Sequence, residues 1–128
     1  MTDTEKITIN MSVVDLGKID LLVDQGHFSS RSELIRTAIR DKLAEYNDEL
    51  KEEVSRRSIM VGVMIITKGD LEKALRQGVR REYIVVGALS VDRNITPELA
   101  DATIESLRVY GVLSVPEEIR KVLGSRIK

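Results

Sequence analysis

Three polar side chains, Lys6, Thr8 and Asn10, alternate with Ile7, Ile9 and Met11 in the segment Lys6-Ile7-Thr8-Ile9-Asn10-Met11-Ser12. A period of two is that of a strand with one wet and one buried face. Lys only donates hydrogen bonds, Thr donates and accepts, and the Asn amide offers a donor beside an acceptor, so the wet face carries a mixed set. Catalytic sets are harder to find. The chain has no Cys and one His, which excludes a disulfide framework, a thiolate cage, a thiol nucleophile and a His cluster from one protomer. The acids of the second half lie mostly in helical stretches with basic neighbours and form no distinctive carboxylate pair. The expectation is a non-enzyme with neither cofactor nor metal, and His27, in a turn, receives no role.

Local signals around the strand define what positions it. Ser12 followed by Asp15 predicts a helix N-cap with a first-turn acid, and Leu16, Ile19, Leu22 and Val23 form its apolar stripe. Gly26 suits a left-handed stop. Ser30-Arg31-Ser32-Glu33 has the spacing of a capping box. Beyond it Leu34, Ile35, Ala38, Ile39, Leu43, Tyr46, Leu50 and Val54 predict one helix of more than about five turns. A lone strand leaves its backbone groups unpaired, and Ile7, Ile9 and Met11 have little to cover them. A second copy, pairing strand with strand antiparallel across a two-fold axis, meets both needs. The expected dimer core is Ile7, Ile9, Met11, Leu16, Ile19, Leu34, Ile35 and Ile39.

The strand KITINMS, the helix VVDLGKIDLLVDQG and the run GHFSSRSELIRTAIRDKL occur in this order. Together they resemble the ribbon-helix-helix family of DNA-binding proteins, the Arc, MetJ and CopG group, over roughly residues 5–50. The most specific part is Phe28 ahead of Ser-Arg-Ser-Glu and then Leu34-Ile35-Arg36-x-Ala38-Ile39-Arg40. The resemblance implies that a paired two-stranded ribbon enters the DNA major groove and that its outward residues, here Lys6, Thr8 and Asn10, read base edges. It also implies a phosphate held at the second helix's start by the backbone N–H groups of Ser30, Arg31 and Ser32, with the Arg31 side chain beside them. Residues 58–128 lie outside it.

Charge weighs against nucleic acid in the first half. Residues 1–50 hold six Lys/Arg and ten Asp/Glu, net −4, whereas residues 51–128 hold fourteen and eleven, net +3. Binding there would rest on a few placed cations and backbone amides. Arg56-Arg57 reads as cations favoured at a helix C-terminus.

The second half contains three similar runs, Ile59–Ile66, Ile84–Val91 and Arg108–Val115, with glycines at 62, 87 and 111, separated by 25 and 24 residues. Each is followed by a helical pattern, at Asp70–Leu75, Thr96–Leu107 and Pro116–Leu123, with Thr96-Pro97 as a helix start. Strand then helix at a short period predicts parallel strands side by side with the crossovers on one flank. A repeated strand glycine predicts close backbone approach. Such an array has two open edges, which invite a further protomer.

The expected fold class is therefore α+β: a ribbon-helix-helix intertwined dimer over residues 1–57 and a small α/β module of about three strand-helix repeats over 58–128. The module serves assembly or effector sensing. The expected function is a sequence-specific regulator, a repressor, with double-stranded DNA of two-fold related sequence and its own copies, up to tetramer or higher, as partners. An antitoxin with its own protein partner and a structural self-assembling protein are the alternatives. No apolar run reaches the ~20 residues that span a bilayer. Met1-Thr2-Asp3-Thr4-Glu5 is acidic where a secretory signal is basic and then apolar, so the expected location is the cytoplasm, without membrane contact.

Overall fold

A computed structural model describes residues 4–128; the first three residues of the acidic N-terminus lie outside it. The chain divides into two compact units, Lys6–Glu52 and one built on Glu53–Lys128.

In the first unit, helix α1 (Val13–Asp24) starts where expected: the Ser12 hydroxyl accepts the Asp15 N–H at 3.1 Å. It stops at Gly26, whose φ of 83° requires no Cβ, with the Gly26 and His27 N–H groups donating to Val23 and Leu22 carbonyls. Helix α2 (Arg31–Glu45) follows, but the single long helix the periodicity predicts is broken. Tyr46 leaves helical geometry at φ −104° and ψ 13°, and α3 (Asn47–Arg56) resumes after it. Asn47 and Asp48 at the new start are residues whose side chains compete for backbone hydrogen bonds.

The second unit is a three-stranded parallel sheet in the order β1 (Met60–Ile66), β2 (Arg81–Val91), β3 (Ile104–Ser114). Helices α4 (Lys68–Gln77) and α5 (Pro97–Thr103) make the crossovers, and α6 (Glu117–Leu123) closes the chain before a short 3-10 turn at Gly124–Arg126. The core lies between one sheet face and the helices: Ile66, Val85, Leu89 and Leu107 pack with Leu71 of α4, Ala100 of α5 and Ile119 and Leu123 of α6. On the other face Val61, Val63 and Ile65 stay exposed.

The repeat is real and in register. Gly62 pairs with Gly87 and Gly87 with Gly111. All three take φ between 133° and 138°, a region closed to L side chains, and a methyl on Gly87 would overlap the Gly62 carbonyl. The close approach is thus strand backbone against strand backbone.

The element limits differ from the sequence reading, most of all between Thr96 and Leu107. The helix expected to run from Thr96 to Leu107 ends at Thr103, although Thr96 does cap it, accepting from the Leu99 N–H at 3.2 Å. Ile104 and Leu107 mimic a helical stripe but are wholly buried as the first turn-free stretch of β3, paired with Arg81 and Tyr83. Tertiary burial outweighs the local period. Helix α4 has a reciprocal capping box, Thr67 with Asp70, which the sequence reading missed.

Candidate nucleic-acid interface

The segment that should read bases precedes α1. Lys6, Thr8 and Asn10 are exposed, as expected of a wet face. Ile7 and Ile9 are also exposed, at 72% and 62%, and Met11 at 37%. Residues 4–12 form no strand, which corrects the sequence reading for the chain alone. The reason is that a strand is defined by its pairing, and one chain supplies no partner here.

The expected core is likewise open in one chain. Only Ile19 is buried; Leu16, Leu34 and Ile35 are half-buried and Ile39 is exposed. Val13, Val14, Leu21, Leu43 and Leu50 add to this apolar surface, and α2 has no buried residue. So much aliphatic surface on a unit of this size marks an interface.

The start of α2 is built more tightly than a bare capping box. The Ser30 hydroxyl accepts the Glu33 N–H at 3.1 Å. The Glu33 carboxylate does not return to the Ser30 N–H, however; it accepts from the N–H and hydroxyl of Ser29. These bonds, the hydroxyl first, hold the Glu33 carboxyl below the usual glutamate range. Capping therefore uses the Glu33 N–H and leaves those of Arg31 and Ser32, the first two helical residues, for another acceptor.

The Arg31 side chain is engaged elsewhere. Its Nε and Nη2 donate to the two Asp20 carboxylate oxygens at 2.7 and 2.8 Å, a bidentate pair tying α2 to α1. The hydrogen bond from Arg31 is the main cause that lowers the Asp20 pKa. To meet a phosphate, this guanidinium must exchange one anion for another. Nothing in the sequence pattern signals this pair, whose members are eleven residues apart.

A second cationic group lies in the sheet unit and was also missed. The Tyr110 hydroxyl accepts from Arg57 Nη1 at 3.1 Å and Arg108 Nε at 2.8 Å, and both guanidinium carbons lie within 5.6 Å of its ring centroid. These bonds, Arg57 first, hold the phenol below the usual tyrosine range. The spacing Arg108-x-Tyr110, two residues along a strand and so on one face, was the available signal. Arg56, by contrast, pairs with Glu53 at 2.5 Å.

Two units of this kind, an aliphatic-faced helix pair behind an exposed alternating segment and a one-sided parallel sheet, define a protein of the α+β class. The chain matches the Ribbon-Helix-Helix transcriptional regulator family over residues 2–120, and it belongs to that family. The match thus reaches well into the sheet unit, further than the roughly 5–50 over which the sequence resemblance could be traced. The chain is also similar to an uncharacterized protein of Archaeoglobus fulgidus, 37% identical over 51 residues, which are 40% of this chain and 85% of that protein. No solved structure matches the chain. Among the described residues no helix is long and apolar enough to cross a membrane.

Proposed function

We propose that the chain is a homodimeric, sequence-specific DNA-binding repressor that acts by occupancy in the cytoplasm, without enzymatic activity or cofactor. Two copies pair residues 6–11 into an antiparallel ribbon whose Lys6, Thr8 and Asn10 meet base edges in the major groove of a two-fold related site. The first-turn amides at Ser30, Arg31 and Ser32 take a phosphate on each side. Ile7, Ile9, Met11 and Ile39 close the shared core with Leu16, Ile19, Leu34 and Ile35.

The observation that carries this reading is the exposure of Ile7 and Ile9 immediately ahead of a capped helix pair. Exposed on both sides, the segment lacks a partner strand and an apolar cover, and a second copy supplies both. Membership of the regulator family supports DNA as the target. The packed core of the sheet unit favours a regulator over an antitoxin whose tail folds only on its toxin.

The test is selection of a binding site from random duplexes, followed by binding of the Lys6→Ala, Thr8→Ala, Asn10→Ala triple variant to it. Loss of at least about a hundredfold in affinity with the dimer intact is expected, since base contacts of this kind contribute ~1–3 kcal/mol each. Unchanged affinity overturns the reading.

A further inference from the structure

The two edges of the sheet are treated differently by the chain. The outer edge of β3 is covered at its start: Ile127 forms a parallel bridge with Leu107, and the Lys128 N–H donates to the Leu107 carbonyl at 2.8 Å. Arg126 locks that tail down, donating to the Ile104 carbonyl at 3.0 Å and the Asp101 carboxylate at 2.5 Å. Along the strand Glu105 and Arg108 add exposed charges. A covering segment and charged side chains are the ordinary devices that blunt an edge.

Among the described residues the outer edge of β1 has none of them. Its sequence, MVGVMII, holds no charge and no Pro. Apolar residues on both faces are the composition of a strand with both faces covered, and an edge without charge or Pro is open to pairing, yet no strand of the described residues lies beyond it. Val61, Val63 and Ile65 are 63%, 48% and 56% exposed, while Ala88, next to Val63 on β2, is 7% exposed. That face is thus open on β1 and covered at Ala88 in the middle strand. Thr4 and Glu5 border the same face near Val61 and Val63.

Backbone directions in β1 are fixed by its end. The Asp92 N–H donates to the Ile66 carbonyl at 3.0 Å, so Ile66 turns its polar groups toward β2. By alternation, Ile65 and Val63 turn theirs to the open side. Gly62 adds an independent pointer. A side chain on Gly111 or Gly87 would strike the preceding strand's glycine, and the same backbone at Gly62 directs its missing side chain into open space at the edge. That space is left clear for a further backbone.

We infer that β1 pairs antiparallel with β1 of a second copy, across a two-fold axis, to make one continuous six-stranded sheet. A strand is complementary to itself in this arrangement, and an isologous contact closes. The covered, charged edge of β3 disfavours the heterologous β1-to-β3 contact, which would propagate into filaments. The pairing rests on the homodimeric reading above, because a copy already held by the ribbon raises the effective concentration of the second β1.

Amide exchange of the full-length protein tests the edge, and cross-linking identifies its occupant. Val63 and Ile65 amides are expected to be protected at least about a hundredfold, with the protection lost in Ile65→Pro, which removes an outward donor that an unpaired edge does not use. A Val63→Cys protein, in a chain otherwise without cysteine, should oxidise to a disulfide-linked dimer, whereas Ser106→Cys on β3 should not. Fast exchange at Val63 and Ile65, or cross-linking no greater than at Ser106, overturns the pairing, as does protection of β1 by a different protein. Specific DNA binding, read on the same samples, separates the two proposals. Its absence beside a protected β1 strikes the repressor reading alone, and its presence beside an unprotected β1 strikes this pairing alone.

Discussion

The carbonyl oxygen of Gly87 occupies the place that a side chain on Gly111 would need, and the Gly62 carbonyl does the same to Gly87. The ladder of glycines lets three parallel strands share one unusual backbone, with φ of 133–138° at each step. Gly87→Ala and Gly111→Ala should therefore each destabilise the protein by more than ~3 kcal/mol, because a backbone clash adds to the cost of the forbidden φ. Gly62→Ala, with nothing in its own chain to strike, should cost about 1–3 kcal/mol in fold stability. Denaturant titration of the three variants checks the order. Equal losses would mean that φ alone, and not the neighbouring carbonyl, makes glycine necessary.

How much of this was legible depends on the range of the interaction. The glycines at 62, 87 and 111 showed the parallel array in the sequence, because equal spacing becomes register once strands stack in order. Ser12, Gly26, Ser30 and Thr96 marked helix ends because a cap acts within a few residues. The break at Tyr46 was hidden by an unbroken apolar stripe, and Ile104 and Leu107 read as helix because burial in a sheet leaves the same spacing. The pairs Asp20–Arg31 and Arg57–Tyr110 join residues that only the fold brings together. The alternating segment at residues 6–11 was plain, but no strand forms there in one chain, and the partner proposed for it belongs to another copy.

Asp20 and Glu33 are both carboxylates whose charged form the fold favours, Asp20 through Arg31 and Glu33 through Ser29. A depressed carboxyl stabilises the folded state above its unfolded pKa, and that contribution disappears as pH falls through the lower folded value. Both side chains are exposed, so the effect is confined to the α1–α2 corner and is small. In the Asp20→Asn variant, loss of helical circular dichroism between about pH 5 and 2 should be shallower than in the parent. An identical acid limb would remove Asp20 from the account.

The same substitution has a second consequence at neutral pH. It releases the Arg31 guanidinium from its carboxylate partner and removes one negative charge from an acidic half. If Arg31 sits beside a phosphate, Asp20→Asn should tighten binding to the selected duplex and steepen its salt dependence by about one in log–log slope. The parent slope should itself be modest, since the backbone amides of Ser30, Arg31 and Ser32 release few counterions. Affinity unaffected by the change would place Arg31 away from the DNA.

Tyr110 and Tyr83 should titrate apart. Hydrogen bonds from Arg57 and Arg108 favour the Tyr110 phenolate, whereas burial opposes that of Tyr83. Ultraviolet titration should show Tyr110 ionising before Tyr83. Tyr110→Phe should remove the Tyr110 step, and Arg57→Gln should move it toward the ordinary tyrosine value. Coincident ionisation of Tyr110 and Tyr83 would contradict the arrangement.

Arg126 connects stability to assembly. It is the clasp that holds Ile127 against Leu107, through carbonyls of Asp101, Ile104, Val122 and Leu123 as well as the Asp101 carboxylate. Arg126→Ala should cost about 1–3 kcal/mol, as the partly buried carbonyls of Ile104 and Leu123 lose a charged donor. The larger expected effect is on association. With the tail released, β3 presents an open edge at each end of the proposed six-stranded sheet, and the β3 edge of another dimer finds the backbone that the parent protein conceals. Each dimer then carries two such edges, so the contact propagates. Light scattering should therefore show species larger than the parent oligomer, growing with concentration, and Val109→Pro in the same chain should suppress them by removing an outward β3 donor. Simple loss of stability without growth would mean that the tail protects the core and leaves the edge's pairing unaffected.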